Sequence, residues 1–259
     1  MSTLTVRYLG GPTAVLEIDG LRLLTDPTFD PPGEYPVGSR TLAKTAGPAV
    51  PLAGIGPVDA VLLSHDHHPD NLDTAGRAFV TDPVAAPPVF STAAAEERLG
   101  GSVRGLPNWQ HTELARPGGG TLRITGVPAL HGPAGSEHLV GEVTGFVLSG
   151  AGLPTVYVSG DNASVDVVRA VADRVGPVDV AVLFAGAART PLVPGEPLTL
   201  TADRAVEAAA VLGARDVVPL HFEHWAHFSE DGAALVAAFE AAGLAERLHL
   251  LKPGEAFVR

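Results

Sequence analysis

Val61 to Asp73 reads VLLSHDHHPDNLD, and the rest of the chain is best understood from this stretch. The apolar run up to Ser64 has the composition of a buried strand. Directly behind it stand His65, Asp66, His67, His68, Asp70, Asn71 and Asp73. Packing alone gives no reason for three histidines and three carboxylates at the end of a buried strand. Unpaired, such groups are costly to bury, and a divalent cation removes that cost. His65 and His67 are two residues apart, so an extended backbone turns both to one side, where they can share an ion. A solvated polar turn between strand and helix is the plainer reading of this stretch taken alone.

Working outward, the same grammar recurs. VPAL runs into His131, VYVSG into Asp161 and VVPL into His221, as VLLS runs into His65. A single polar residue after a strand is ordinary. Four in one chain, beside a His-x-His pair, point to a metal centre built where loops converge over the ends of a rigid sheet.

The flanking segments supply the frame. LTVRYL, TAVLEI and LRLLTD, separated by the turn signals GGP and DG, read as three consecutive antiparallel strands. Asp26, at their end, reads as a turn residue or as an acceptor for a metal-bound imidazole N–H. Pro27 to Pro57 is rich in Pro, Gly and small polar residues, a long connection of the kind that is functional or mobile. Its Phe29, Tyr35, Arg40 and Lys44 could wall a substrate pocket. Helices are expected from LDTAGRAF, from AAAEERLG, after Ser164, after Thr201 and after Ser229, and strands from PPVFST, RLHLLK and EAFVR. His111 and His138 fall in loops. Strands precede helices in each half, residues 4–100 and 121–259. That order predicts an α/β fold of two sheets packed face to face with helices outside, a four-layer αββα sandwich forming one domain over residues 1–259.

Composition narrows the chemistry. The 259 residues include no cysteine, so any metal must be held by His and carboxylate. The formal charge of −12, with Lys44 and Lys252 the only lysines, argues against a nucleic-acid partner. No signal-peptide pattern opens the chain, and no apolar run approaches the ~20 residues that span a bilayer. The expectation is a cytoplasmic protein with a small-molecule substrate and no membrane partner, its oligomeric state left open. No G-x-S-x-G elbow offers a covalent nucleophile.

These residues together resemble the metallo-β-lactamase superfamily, which carries a His-x-His-x-Asp-His loop, a later His, a strand-terminal Asp and a final His. The SHDH opening, LTDP, VSGDN and PLHFEHWAHF resemble most the branch of the L-ascorbate-6-phosphate lactonases and N-acylphosphatidylethanolamine phospholipases. The resemblance runs from about Leu4 to His227. It implies one or two divalent metal ions, zinc first, with manganese or iron as alternatives. It places His65, His67 and His131 in a first site, Asp161 as a bridging carboxylate and His221 in a second site. Asp70 would bind the second metal and orient the attacking water. The implied activity is hydrolysis of a small ester, lactone or phosphodiester by a metal-bound hydroxide. The alternative is a non-catalytic or metal-sensing protein with a degenerate second site. Three departures bear on that choice. His68 and Pro69 stand where relatives have one residue before the Asp, Asn71 replaces the next His, and Gly11 stands where many members of that branch have His. The extra residue gives His68 the slack to replace the missing imidazole, but Pro69 restricts it to extended conformations, so the expected outcome is a tight first site and a second that is weak, empty or filled by a harder metal. Of His221, His224 and His227, His221 alone is expected to bind metal, with His224 or His227 lining the pocket. Arg189 reads as a solvated residue that could meet an anionic substrate.

Overall fold

The computed structural model describes residues 3–38 and 40–259. The chain opens with β1 (Leu4–Gly10), β2 (Thr13–Ile18) and β3 (Leu21–Thr25), then a hairpin of β4 (Gly33–Val37) and β5 (Arg40–Lys44). β6 (Ala60–Leu62), α1 (Thr74–Val80), β7 (Val89–Ser91), α2 (Ala93–Leu99) and β8 (Val103–Gly105) complete the first half. The second half runs β9 (His111–Ala115), β10 (Thr121–Pro128), the short α3 (Glu137–Val140), β11 (Thr144–Ser149), β12 (Val156–Val158) and α4 (Val165–Val175). It continues through β13 (Val180–Phe184), α5 (Ala202–Val211), β14 (Asp216–Leu220), α6 (Gly232–Ala241) and β15 (Ala256–Val258).

Alternation in the strands builds the layers. Along β2 and β6, Ala14, Leu16, Ala60 and Leu62 face the core shared by the two sheets. Their neighbours Val15, Val61 and Leu63 face outward, onto Ala75 and Phe79 of α1 and Leu99 of α2. On the far side, Val168 of α4, Ala205 of α5 and Leu235 of α6 cover the second sheet. The result is the expected four-layer αββα sandwich. The helices start where a side chain satisfies their free N–H groups: Asp73, Thr92, Ser164 and Thr201 each accept from the residue three positions on. For α6 the cap is Asp231, which accepts from Ala233 and Ala234, rather than Ser229.

Strand order decides where the chemistry collects. The first sheet runs β15-β1-β2-β3-β6-β7-β8, the second β14-β13-β12-β11-β10-β9. β3 and β6 are parallel neighbours, so Asp26 and Ser64 emerge together. β12, β13 and β14 are parallel, and β10 is antiparallel to β11, itself antiparallel to β12. Hence β10, β12 and β14 all end at one edge, and His131, Asp161 and His221 leave from it. Gly160 lets the two sheets meet there. Its φ is +54°, and a Cβ on it would lie 2.6 Å from the Thr144 carbonyl and 2.8 Å from Ser64 Cβ.

Two segments differ from the sequence reading. The Pro27–Pro57 connection contains the β4–β5 hairpin, whose residues are mostly half-buried or exposed and so carry no clean alternation. It leans on the loop after β14: Thr45 N–H donates to His224 O (2.7 Å) and Ala226 N–H to Ala43 O (3.0 Å). The halves are also not separate in sequence. β15 crosses back to pair with β1, and RLHLLK forms no strand, only a single bridge from Leu248 to Val217.

Candidate metal centre

The strand ends deliver two adjoining triads. Ligand atoms of His65, His68 and His131 lie within 4.8 Å of one another, as do those of Asp70, Asp161 and His221. Asp161 stands between them, Oδ2 lying 3.7 Å from His131 Nδ1 and Oδ1 3.5 Å from His221 Nε2. Apart from the partly buried His68, all are shut off from solvent.

The histidine triad is held by neutral groups behind it. Asp26 Oδ1 accepts from Ser64 N–H (2.9 Å) and Ser64 Oγ (2.6 Å), and Ser64 Oγ in turn lies 3.0 Å from His65 Nδ1. His131 Nδ1–H donates to the Leu198 carbonyl at 2.8 Å, which leaves Nε2 as the bare acceptor. Burial holds His65 well below its ordinary pKa and His68 down to about 4. Asp26 acts on His65 indirectly, through Ser64, and burial pushes its carboxyl up to about 8.

His67, expected beside His65, is directed elsewhere. β6 ends at Leu62 and the chain bends through residues 64–67, so the two-residue alternation of a strand does not apply. Arg98 clamps Asp66 through Nε (3.0 Å) and Nη2 (2.5 Å), and Arg77 donates to the Asp66 carbonyl (2.9 Å). That anchor turns His67 outward, its Nδ1 3.5 Å from Arg98 Nη2 and its ring packed on the Gly141 backbone. The bend brings His68 inward, Nδ1 3.0 Å from His65 Nε2. Two nitrogens on one tetrahedral zinc sit about 3.3 Å apart. Pro69, expected to keep His68 away, instead lies within a turn in which the His68 carbonyl accepts from Asn71 and Leu72.

The second triad is more highly charged. Burial alone would raise Asp161, but His221, His131 and His65 hold it well below the usual carboxylate range. Asp70 likewise is held down against burial by His227, whose Nε2 lies 3.1 Å from Oδ2, and by His221. Burial opposes the charge on His221, yet Asp161 and Asp70 push it up to about 10. His221 takes a left-handed backbone (φ +57°) and donates its N–H to the Gly11 carbonyl. Such strain persists only where the surroundings enforce it. Asn71 is fully buried and donates through Nδ2 to Asp161 Oδ1 at 3.0 Å. The opposite amide orientation would set oxygen against carboxylate, so Asn71 acts here as a hydrogen-bond donor.

The donor set fits a divalent metal. Asp70 Oδ1, Asp161 Oδ2, His131 Nε2 and both ring nitrogens of His221 are buried without a hydrogen-bond partner. Buried polar atoms are rarely orphaned, and nitrogen and carboxylate oxygen suit zinc, manganese or iron.

Other singled-out residues sort cleanly. His227 reaches Asp70, and both line a narrow cleft of about 30 Å³ over the triads. Of His224 and His227, the two alternatives for lining the pocket, it is His227 that does so, whereas nothing in the sequence marked Ser64 or Leu198. His224 packs on Gly10 outside the triads. His111 begins β9, and His138 Nδ1 bonds the Gly135 carbonyl. Lys44 is buried against Asp73 (3.0 Å), Phe29 lies in the outer core and Tyr35 packs on Trp225. Of these four hairpin-segment residues, Arg40 alone lines the cleft.

The family model of the beta-lactamase superfamily domain matches residues 21–222. The chain belongs to the metallo-β-lactamase superfamily. A UPF0173 metal-dependent hydrolase of Pyrobaculum neutrophilum is 28% identical over 251 residues, 96% of this chain and 97% of the relative. A second, from Methanosphaerula palustris, is 31% identical over 193 residues, 70% of this chain and 76% of its own. The solved isothiocyanate hydrolase from Delia radicum gut bacteria shares the superfamily fold, with a TM-score of 0.79 at 23% identity over 98% of both chains. Among the described residues, no helix is long and apolar enough to cross a membrane.

Proposed function

We propose that the protein is a metal-dependent hydrolase that opens a small ester, lactone or phosphodiester at the two triads. The observation that carries this reading is the set of orphaned, buried donor atoms facing one another around Asp161. His65, His68 and His131 would hold one divalent ion, and Asp161, His221 and Asp70 a second. A bound ion supplies water of lowered pKa and polarises the carbonyl or phosphoryl oxygen under attack. Asp70 does the remaining work. His227, whose Nε2 lies 3.1 Å from its Oδ2, holds it in place, and through Oδ1 it would join the second ion and orient the attacking water. His131 and Asp161 stay rigid through Leu198 and Asn71, so the site needs little reorganisation.

The likeness of the LTDP, VSGDN and PLHFEHWAHF segments to the lactonase and phospholipase branch favours a lactone or phosphodiester. Exposed Leu139 and Leu192, beside Val37 and Arg40 in the groove outside the cleft, suit a substrate with an apolar arm. An isothiocyanate also presents an electrophilic carbon to water, so it belongs among the trial substrates.

The test is to load metal-free protein with zinc or manganese and assay aryl esters, lactones, phosphodiesters and an alkyl isothiocyanate. Turnover that vanishes on chelation and returns with metal is the expected result. Full metal loading with no turnover on any class would favour the metal-sensing reading.

A further inference from the structure

Outside the triads, the cleft wall carries a charge arrangement that the hydrolytic reading leaves unused. The chain is strongly acidic, with 17 Lys and Arg against 29 Asp and Glu. Yet two arginines line the cleft, Arg40 from the hairpin and Arg189 from the segment after β13. Among the described residues neither lies within 4.0 Å of a carboxylate, although most of the other arginines do. The only carboxylate lining the inner cleft is Asp70, which His227 and His221 engage.

Both guanidinium groups are instead oriented by neutral acceptors. Arg40 Nη1 donates to Thr190 Oγ1. Arg189 Nε donates to Ser229 Oγ (3.1 Å) and Nη1 to the Gly195 carbonyl (3.3 Å). These bonds fix direction without cancelling charge. Thr190 follows Arg189 directly, so one short segment places both cations on the same rim. A planar guanidinium presents paired donors matched to carboxylate and phosphate oxygens. Glu137 lies in the outer groove shared by Arg40, which sets the anion site on the inner side.

We infer that Arg40 and Arg189 grip an oxyanion, a carboxylate or a phosphate, on the part of the substrate remote from the bond being cut. The inference rests on the hydrolase reading for its substrate, and it identifies that substrate as an anion with a separate scissile group. Arg40 also ties the hairpin to the segment after β13 through Thr190, so a purely structural role is the competing account.

The decisive experiment uses the zinc-loaded full chain and three aryl esters matched in length, whose acyl arms end in a neutral group, a carboxylate or a phosphate. At low salt at least one charged ester should exceed the neutral one in kcat/KM by about tenfold or more. The two charged arms tell carboxylate from phosphate recognition. That ratio should shrink in Arg40→Gln and in Arg189→Gln, and approach one in the double variant, while Arg40→Lys, which keeps the charge but not the paired donors, falls between the unmodified chain and Arg40→Gln. A ratio near one in the unmodified chain, or an undiminished ratio in the double variant, would overturn the inference. Calorimetric titration with acetate and methylphosphonate separates this from hydrolysis itself. Both proteins share the metals, so tighter, salt-sensitive binding by the unmodified chain reads the arginines even if no ester is cut. Equal affinity in the double variant would overturn the inference there too.

Discussion

The two triads lie on either side of Asp161 and are built from opposite chemistry. His65, His68 and His131 bring nitrogen donors behind which stand a hydroxyl and a backbone carbonyl. Asp70, Asp161 and His221 bring two carboxylates that share one imidazole between them. Burial dominates the first triad and keeps His65 and His68 uncharged. In the second, the attraction of His221 to Asp161 and Asp70 outweighs burial and keeps His221 protonated. One fold edge thus sets two imidazoles kept uncharged by burial beside an imidazole kept charged by its carboxylates.

The comparison breaks most sharply at His68. His68→Ala should weaken zinc binding at the first triad by more than the roughly 100-fold that losing an outer partner costs a metal site. His67→Ala should change it by less than about tenfold, because His67 is turned toward Arg98 and Gly141. Zinc titration against a competing chelator measures both. The reverse ranking would restore the His65–His67 pair that strand alternation suggests.

Acidity sharpens the comparison next. A cation entering the first triad displaces no proton from His68, whose pKa is down to about 4. At the second it must displace the proton on His221, pushed up to about 10. Affinity at the second site should therefore rise about tenfold per pH unit through neutrality, and about 100-fold from pH 6 to pH 8. The first step should move far less. Titration calorimetry in buffers of different ionisation enthalpy counts the protons released, and equal release at both steps would contradict the assignment. The same groups set the stability of the metal-free fold. His221, raised from 6.5, contributes stability that is complete below about pH 6.5 and lost as pH rises through about 10. His68, lowered, contributes stability that is complete above its ordinary pKa and lost as pH falls toward 4.

The sequence carried the frame of this centre better than its details. Alternation and turn signals located β1 to β3, and the recurring strand-then-ligand pattern picked out His65, His131, Asp161 and His221, which the sheets bring to one edge. That pattern is legible because buried strands are apolar and an ionisable residue at their ends stands out. The sequence left His68 as a stand-in for the missing second-site imidazole; its place beside His65 and His131 was not legible, because its inward turn depends on Arg98, some 30 residues away in sequence, anchoring Asp66 through a bidentate pair. The hairpin escaped for a different reason. Its residues pack on one side against the loop of Trp225 and expose the rest, so neither period shows in their order. The return of β15 to β1 is a long-range pairing that no local signal encodes.

The smallest expected effect is at Asn71, and it separates two accounts of the second triad. If that triad lacks only the imidazole usual in this superfamily, Asn71→His should add a nitrogen donor and tighten the second zinc step well beyond tenfold. The geometry argues otherwise. The Asn71 amide is fully buried, and it donates to Asp161 Oδ1 at 3.0 Å and toward Ser64 Oγ at 3.4 Å, so it spans the supports of both triads. A larger ring must displace those neighbours, and overpacking a tight interior costs about 1–3 kcal/mol. The donor gained would be offset by a looser Asp161. The second zinc step should therefore shift by less than about tenfold, while urea unfolding of the metal-free variant shows that loss of stability. Strong tightening with unchanged stability would mean that Asn71 merely fills the place of a missing ligand.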